Sequence, residues 1–226
     1  MLGTIDLYRL SHALTFSVST PSTHCPVFNS LTLYSIVTKM NHVEQNLTNE
    51  IVALLIQEDL HARGIAKMLS SNHVTVMRKL RDLTEDNIVD FRIEGKNKVY
   101  SLKKSIEGRN AAMTTELYKQ CQAISRYPVL RGIFRFIQQQ RDVHLAILFG
   151  SYAKESANTD SDIDLYIETL DSEIKKRLEQ RHSSLSVKIG RFDPKSLLIR
   201  EIIKDHIIVK GIEVYFDKTE FFEKTA

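Results

Sequence analysis

Cysteine is scarce, and the two present, Cys25 and Cys121, share no CxxC or Cys/His spacing. That excludes a disulfide framework and a zinc site, and it suits the reduced thiols of a cytoplasmic protein. Long apolar runs are missing too. No stretch approaches the roughly 18 apolar residues of a spanning helix, so no membrane partner is expected. Neither charge dominates: 31 Lys and Arg against 28 Asp and Glu give +3 and a pI near 8.7, which permits nucleic acid without arguing for it. The eight histidines are scattered with no HxH or HxxxH pair, so His61, His73 and His144 are expected at the surface or at caps rather than on a metal. Residues 1–39 are poor in charge, with only Asp6, Arg9 and Lys39, and lack the basic start and unbroken apolar core of a secretory signal. They are expected to be a poorly ordered or non-native extension, with Met40 the physiological start.

What is present centres on Val143 to Glu168. The apolar run Leu145–Phe149 is short and lacks a 3.6 period, so a strand is expected, ending on Gly150-Ser151. Ten residues later Asp162-Ile163-Asp164 opens a second strand. Its alternation puts Asp162, Asp164 and Tyr166 on one face and Ile163, Leu165 and Ile167 on the other, with the two acids about 7 Å apart. Paired carboxylates repel each other unless a positive charge lies beside them. Mg²⁺ fits, because it takes oxygen ligands from one or two carboxylates and completes its shell with water and phosphates. Gly150 allows a close backbone approach, Ser151 offers a hydroxyl and an amide, and a helix starting there would aim its positive end at a phosphate. Together these residues suggest metal-assisted phosphoryl or nucleotidyl transfer.

Upstream, Leu47, Ile51, Leu54 and Leu55 recur at helical spacing. A short helix over Ala62–Leu69, a polar turn at Ser70-Ser71-Asn72 and a longer helix over His73–Leu83 follow, which is a helix-turn-helix pattern. Ile88–Leu102 then reads as a hairpin around Gly95-Lys96-Asn97. The order of elements resembles the winged-helix domains of bacterial and archaeal transcription regulators. That resemblance implies double-stranded DNA as a partner. The second helix would present Asn72, His73, Thr75, Val76 and Lys79 to base edges, and Arg78, Arg81, Lys96 and Lys98 would reach phosphates. A docking role, with the charges merely solvated, is the competing reading.

Lys103–Gly108 is expected to link the halves. Helices follow over Asn110–Ser125, with Met113, Leu117 and Ile124 on one face, and from Pro128 to Gln140. The rest alternates: a helix over Ser172–Gln180, a strand at Leu185–Ile189, a helix over Lys195–Asp205 with Leu197, Leu198, Ile202 and Ile203, and a last strand, Ile207–Phe216, interrupted by Gly211. Such alternation predicts an α/β layer with a short sheet.

Phe149-Gly150-Ser151, ten positions and Asp162-Ile163-Asp164 resemble the GSx10DxD signature of minimal nucleotidyltransferases in the DNA polymerase beta superfamily. The resemblance implies an α/β (α+β) core with a short mixed sheet, behind a small winged helix-turn-helix domain. The expected division is 1–39 extension, 40–104 winged helix, 105–140 helical linker, 141–218 nucleotidyltransferase and 219–226 tail. It further implies ATP or another nucleoside triphosphate held by Gly150, Ser151 and Lys154, and Mg²⁺ held by the catalytic pair Asp162 and Asp164. The acceptor would be a hydroxyl of a protein, such as a HEPN-type toxin, or of a nucleic acid, and a homodimer is a further expectation. The family's third acid would lie on Leu185–Ile189, where this chain has Ser184, Ser186 and Lys188. Asp193 is a candidate replacement ligand, against a plain turn role before Pro194. The alternative function is a DNA-binding transcription regulator whose degenerate transferase domain binds nucleotide without turnover.

Overall fold

The computed structural model describes residues 46–169 and 171–223. The proposed extension, Met40 and Cys25 lie outside them.

The chain opens with helix α1 (residues 46–57), whose Ile51, Val52 and Leu55 are buried. A two-residue strand β1 (Leu60–His61) leads into α2 (Ala62–Met68), and α3 (His73–Glu85) follows a tight turn. Asn72 sets the start of α3, because its side chain accepts the Val74 N–H at 2.8 Å and so satisfies one of the otherwise orphaned donors. Val76, Leu80 and Leu83 then fall on one face and are buried. β2 (Val89–Glu94) and β3 (Asn97–Leu102) form a hairpin in which Glu94 pairs with Asn97 across Gly95-Lys96. Gly95 has φ 62°, as a tight hairpin of this length requires. β1 adds to β3, giving the antiparallel order β1-β3-β2. No sequence pattern marked β1, since two residues carry no period.

Helix α4 (Ile106–Arg126) begins inside the segment expected as a linker. Ser105 caps it by accepting the Gly108 N–H at 3.0 Å, while its own hydroxyl donates to the Asn87 carbonyl. A β-carbon at Gly108 would stand 2.1 Å from the Lys103 carbonyl oxygen, so the glycine belongs to the helix start rather than to a flexible joint. The buried face of α4 is also polar where an apolar one was expected. Thr115, Glu116 and Gln120 are buried, whereas Leu117 is exposed.

After α5 (Leu130–Gln139) come β4 (Leu145–Phe149), β5 (Ile163–Glu168), α6 (Glu173–Glu179), β6 (Leu185–Ile189), α7 (Leu197–Lys204), β7 (Ile207–Lys210) and α8 (Ile212–Lys218). The second sheet has the order β6-β5-β4-β7, with β5 and β6 parallel and the other pairs antiparallel. The fold class is therefore mixed α/β. The expected last strand stops at Lys210. Gly211 turns the chain at φ 82° against the His144 carbonyl, and α8 follows. On α7 the buried residues are Ile199 and Ile202, while Leu197 and Leu198 are exposed.

Both faces of this sheet are covered, which explains its near-continuous apolar strands. Ala146, Leu148, Ile163, Leu165 and Val187 pack in one core with Phe134 and Ile137 of α5 and Leu178 of α6. Leu145, Ile147, Tyr166 and Ile208 share the other core with α7, α8 and the helices around the first sheet. Each fully buried Leu or Ile contributes roughly 1.5–3 kcal/mol over its exposed state. The edge strand β7 is shielded by Gln120, whose side-chain amide donates to the Ile208 carbonyl.

Candidate active site

Phe149 pairs with Asp164 in the antiparallel β4–β5 register. The strand end therefore delivers Gly150 beside that carboxylate. At φ 71° the glycine presses so close that a β-carbon would meet Asp164 Oδ2 at 2.4 Å. Asp162 lies just before β5, exposed, and Ile163 is fully buried between the two acids. The alternation expected along this strand is present: Ile163, Leu165 and Ile167 enter one core and Tyr166 the other. Asp164 is half-buried, and burial raises its pKa above the usual carboxylate value. The Ser186 hydroxyl, hydrogen-bonded to the carboxylate, acts against that rise, the charge of Asp162 adds to it, and the charge of Lys188 opposes it.

The parallel register sets Ser186 opposite Asp164 and Lys188 opposite Tyr166. Ser186 thus stands where a further acid was expected, and Lys188, exposed, acts on Asp164 through its charge alone. Tyr166 fastens the far end by donating to the Gly190 carbonyl at 2.8 Å, and burial pushes its hydroxyl up to about 12. Asp193 serves as a turn residue, its carboxylate accepting the Lys195 N–H at 2.9 Å.

The segment after Gly150 is a run of turns over 150–155 rather than the expected helix. One helical hydrogen bond forms, from the Lys154 N–H to the Gly150 carbonyl at 3.1 Å, and the Ser156 N–H closes on the Ser151 carbonyl at 3.0 Å. Ser151 is half-buried, and Lys154 is exposed with its charge near Glu201 of α7. Arg126 ties the end of α4 to this turn through Glu155, a long-range ion pair with no local sequence signal. Ahead of the acids, Asn158 accepts the Asp160 N–H at 3.0 Å and the Ser161 hydroxyl at 3.1 Å, which shapes the approach to Asp162.

Asp162 and Asp164 are the two carboxylates at this strand end, and carboxylate oxygens are the kind of ligand a hard cation takes. Among the described residues no group of three His, Cys, Asp or Glu side chains could hold a metal. A Mg²⁺ here would take its remaining ligands from water and phosphate, which is that ion's ordinary habit.

The other candidate residues gather at the first sheet. His73, Lys96 and Lys98 line a cleft of about 390 Å³ together with Arg63, which the sequence reading missed. Arg78 and Arg81 are exposed on α3, and Thr75 is half-buried. Lys79 is half-buried and faces Asp82 at 3.8 Å. Asn72 spends its side-chain oxygen on the helix cap. Val76 is a correction: it is 0% exposed in the core and cannot reach a base, and the exposed apolar neighbour is Val74.

Residues 132–219 match the family model "Polymerase beta, Nucleotidyltransferase". The match supports a transferase domain of the polymerase beta superfamily and runs from within α5 through the whole second sheet to α8, so it includes the turn and both acids. The matched segment is thus the part of the chain that carries the candidate site. No curated protein matches the chain. Among solved structures, the transcriptional repressor BigR from Xylella fastidiosa is similar at 16% identity over 50% of this chain and 99% of its own, with a TM-score of 0.28.

Proposed function

We propose that the protein is a Mg²⁺-dependent nucleotidyltransferase that moves an adenylyl group from ATP, or a related nucleotide, to a hydroxyl of a protein or nucleic acid. The observation that carries this reading is Gly150 against Asp164, with Asp162 two residues before it and its charge felt at Asp164. The turn amides and the Ser151 hydroxyl would hold the triphosphate, and Lys154 could add a contact to its outer phosphate. Asp162 and Asp164 would hold the cation, which when bound neutralises phosphate charge and favours loss of pyrophosphate. Ser186 would orient the Asp164 carboxylate. In this reading the hairpin and α3 form a winged helix that binds double-stranded DNA through His73, Thr75, Arg78, Lys79, Arg81, Lys96 and Lys98, with Arg63 beside them.

One observation favours a second reading. Ser186, not an acid, stands opposite Asp164, and Lys188 follows opposite Tyr166, so no carboxylate on this strand removes a proton from an acceptor hydroxyl. The protein would then regulate transcription, binding nucleotide without turnover. Incubation with α-labelled ATP, Mg²⁺ and candidate acceptors separates the two. Label transfer that disappears in Asp162→Ala and Asp164→Ala supports the transferase. Nucleotide and DNA binding with no transfer to any acceptor supports the regulator.

A further inference from the structure

Helix α3 carries two faces of the same spacing. Val76, Leu80 and Leu83 are buried, and Val74, Arg78 and Arg81 repeat their interval two residues earlier, all three exposed. Two residues turn a helix by about 200°, so the second set points almost straight away from the core. Val74 is its one apolar member. It is 73% exposed, so the core does not use it, and a β-branched residue is a weaker helix former than alanine where packing does not decide.

The cap fixes where this valine points. The Asn72 side chain accepts the Val74 N–H at 2.8 Å, which places the valine in the first turn of α3. Its surroundings are cationic. Arg78 and Arg81 follow on the same face, and residues 73–81 contain no acid. Beside that face lies the cleft lined by His73, Arg63, Lys96 and Lys98. Of the acids on α3 and at the hairpin tip, Asp82 faces Lys79 at 3.8 Å, Glu94 is bonded to Arg92 at 2.8 Å, and Glu85 is the last residue of the helix. An apolar side chain among cations suits a polyanion that offers an apolar group at the point of contact. The base edges of the DNA major groove offer one, the C5-methyl of thymine.

We propose that Val74 reads that methyl, so that the DNA site carries a thymine under the first turn of α3. The inference rests on the winged-helix reading above. Arg78 and Arg81 hold the flanking phosphates, and the valine methyl groups close on the thymine edge and exclude water from it. Adenine, guanine and cytosine present only polar groups at that edge, and an apolar contact would desolvate them without a hydrogen bond in return. Preference at this position therefore comes from apolar contact rather than from hydrogen bonding.

Selection of duplexes from a randomised pool by the full chain, followed by replacement of each selected thymine with deoxyuridine, tests this. Uracil pairs as thymine does and lacks only the methyl. At one or more positions wild-type affinity is expected to fall about fourfold, which is what burying one methyl-sized group is worth. Val74→Ala should bind the thymine and uracil duplexes equally, whereas Val74→Ile should keep the preference, both at a melting temperature near that of wild type. A uracil penalty at no position, or one that persists in Val74→Ala, would overturn the proposal while the DNA-binding reading stands. DNA affinity that does not fall with rising salt would overturn the winged-helix reading, and this inference with it.

Discussion

Gly150 and Asp164 touch across the β4–β5 pair so closely that no larger residue fits at 150 without moving the carboxylate. The positive φ of Gly150 adds a second constraint, since a side chain there is strained whatever the space. Gly150→Ala is expected to cost about 1–3 kcal/mol in stability. It should also weaken Mg²⁺–nucleotide binding by at least tenfold. Denaturant melts and equilibrium binding read the two effects separately.

Ser186 and Asp164 make a second pair. Removing the hydroxyl in Ser186→Ala leaves the carboxylate with one fewer hydrogen bond, each worth about 1 kcal/mol net. Metal affinity is expected to fall several-fold while the fold is kept. Titration with Mn²⁺, followed by its paramagnetic signal, checks this independently of turnover.

His206 predicts a pH dependence. Burial, aided by the charge of Lys119, lowers its folded-state pKa to about 3 from an ordinary value of 6.5. The folded form therefore refuses a proton that the unfolded chain accepts. Its contribution is fully present above pH 6.5 and is lost as pH falls toward 3, at about 1.4 kcal/mol per pH unit. Glu116 faces it from α4 with a pKa raised by burial, and the Tyr215 ring packs against it at 4.7 Å. The raised Glu116 works in the opposite sense, since its contribution is present at low pH and lost as pH rises through its folded value. The stability difference between wild type and His206→Gln should therefore be flat above pH 6.5 and change on acidification.

On the proposed DNA face, Val76 and its exposed neighbours should behave differently. Val76→Ala removes core packing and is expected to destabilise by roughly 1–3 kcal/mol. Lys96→Ala and Lys98→Ala should leave stability nearly unchanged and flatten the salt dependence of DNA affinity. Replacing His73 or Thr75 should alter sequence preference more than the salt slope. DNA affinity that does not fall with rising salt would exclude a phosphate-driven interface.

The residues around Asp164 were legible because a strand writes its two faces directly into alternate positions, and because Gly150-Ser151 and Asp162-Ile163-Asp164 fall at strand ends. The hairpin at Gly95 and the cap at Asn72 were legible for similarly local reasons. What was missed depends on distant partners. Ile207–Phe216 has strand-like composition throughout, and only the approach of Gly211 to His144 ends the strand and starts α8. The inward face of α4 is polar because Gln120 serves the edge of β7 and Glu116 meets His206, so apolar periodicity pointed to Leu117 instead. Val76 was assigned to the groove by its place near the helix start, although its spacing from Leu80 and Leu83 already put it on the buried face.

The most direct test is equilibrium binding of a non-hydrolysable ATP analogue, with and without Mg²⁺, because it needs no knowledge of the acceptor. Mg²⁺-dependent binding to the wild type, lost in both Asp162→Ala and Asp164→Ala at unchanged melting temperature, is the predicted result. No Mg²⁺-dependent binding to the wild type, or equal binding in the two variants, would contradict the assignment of Asp162 and Asp164 as the metal and nucleotide site.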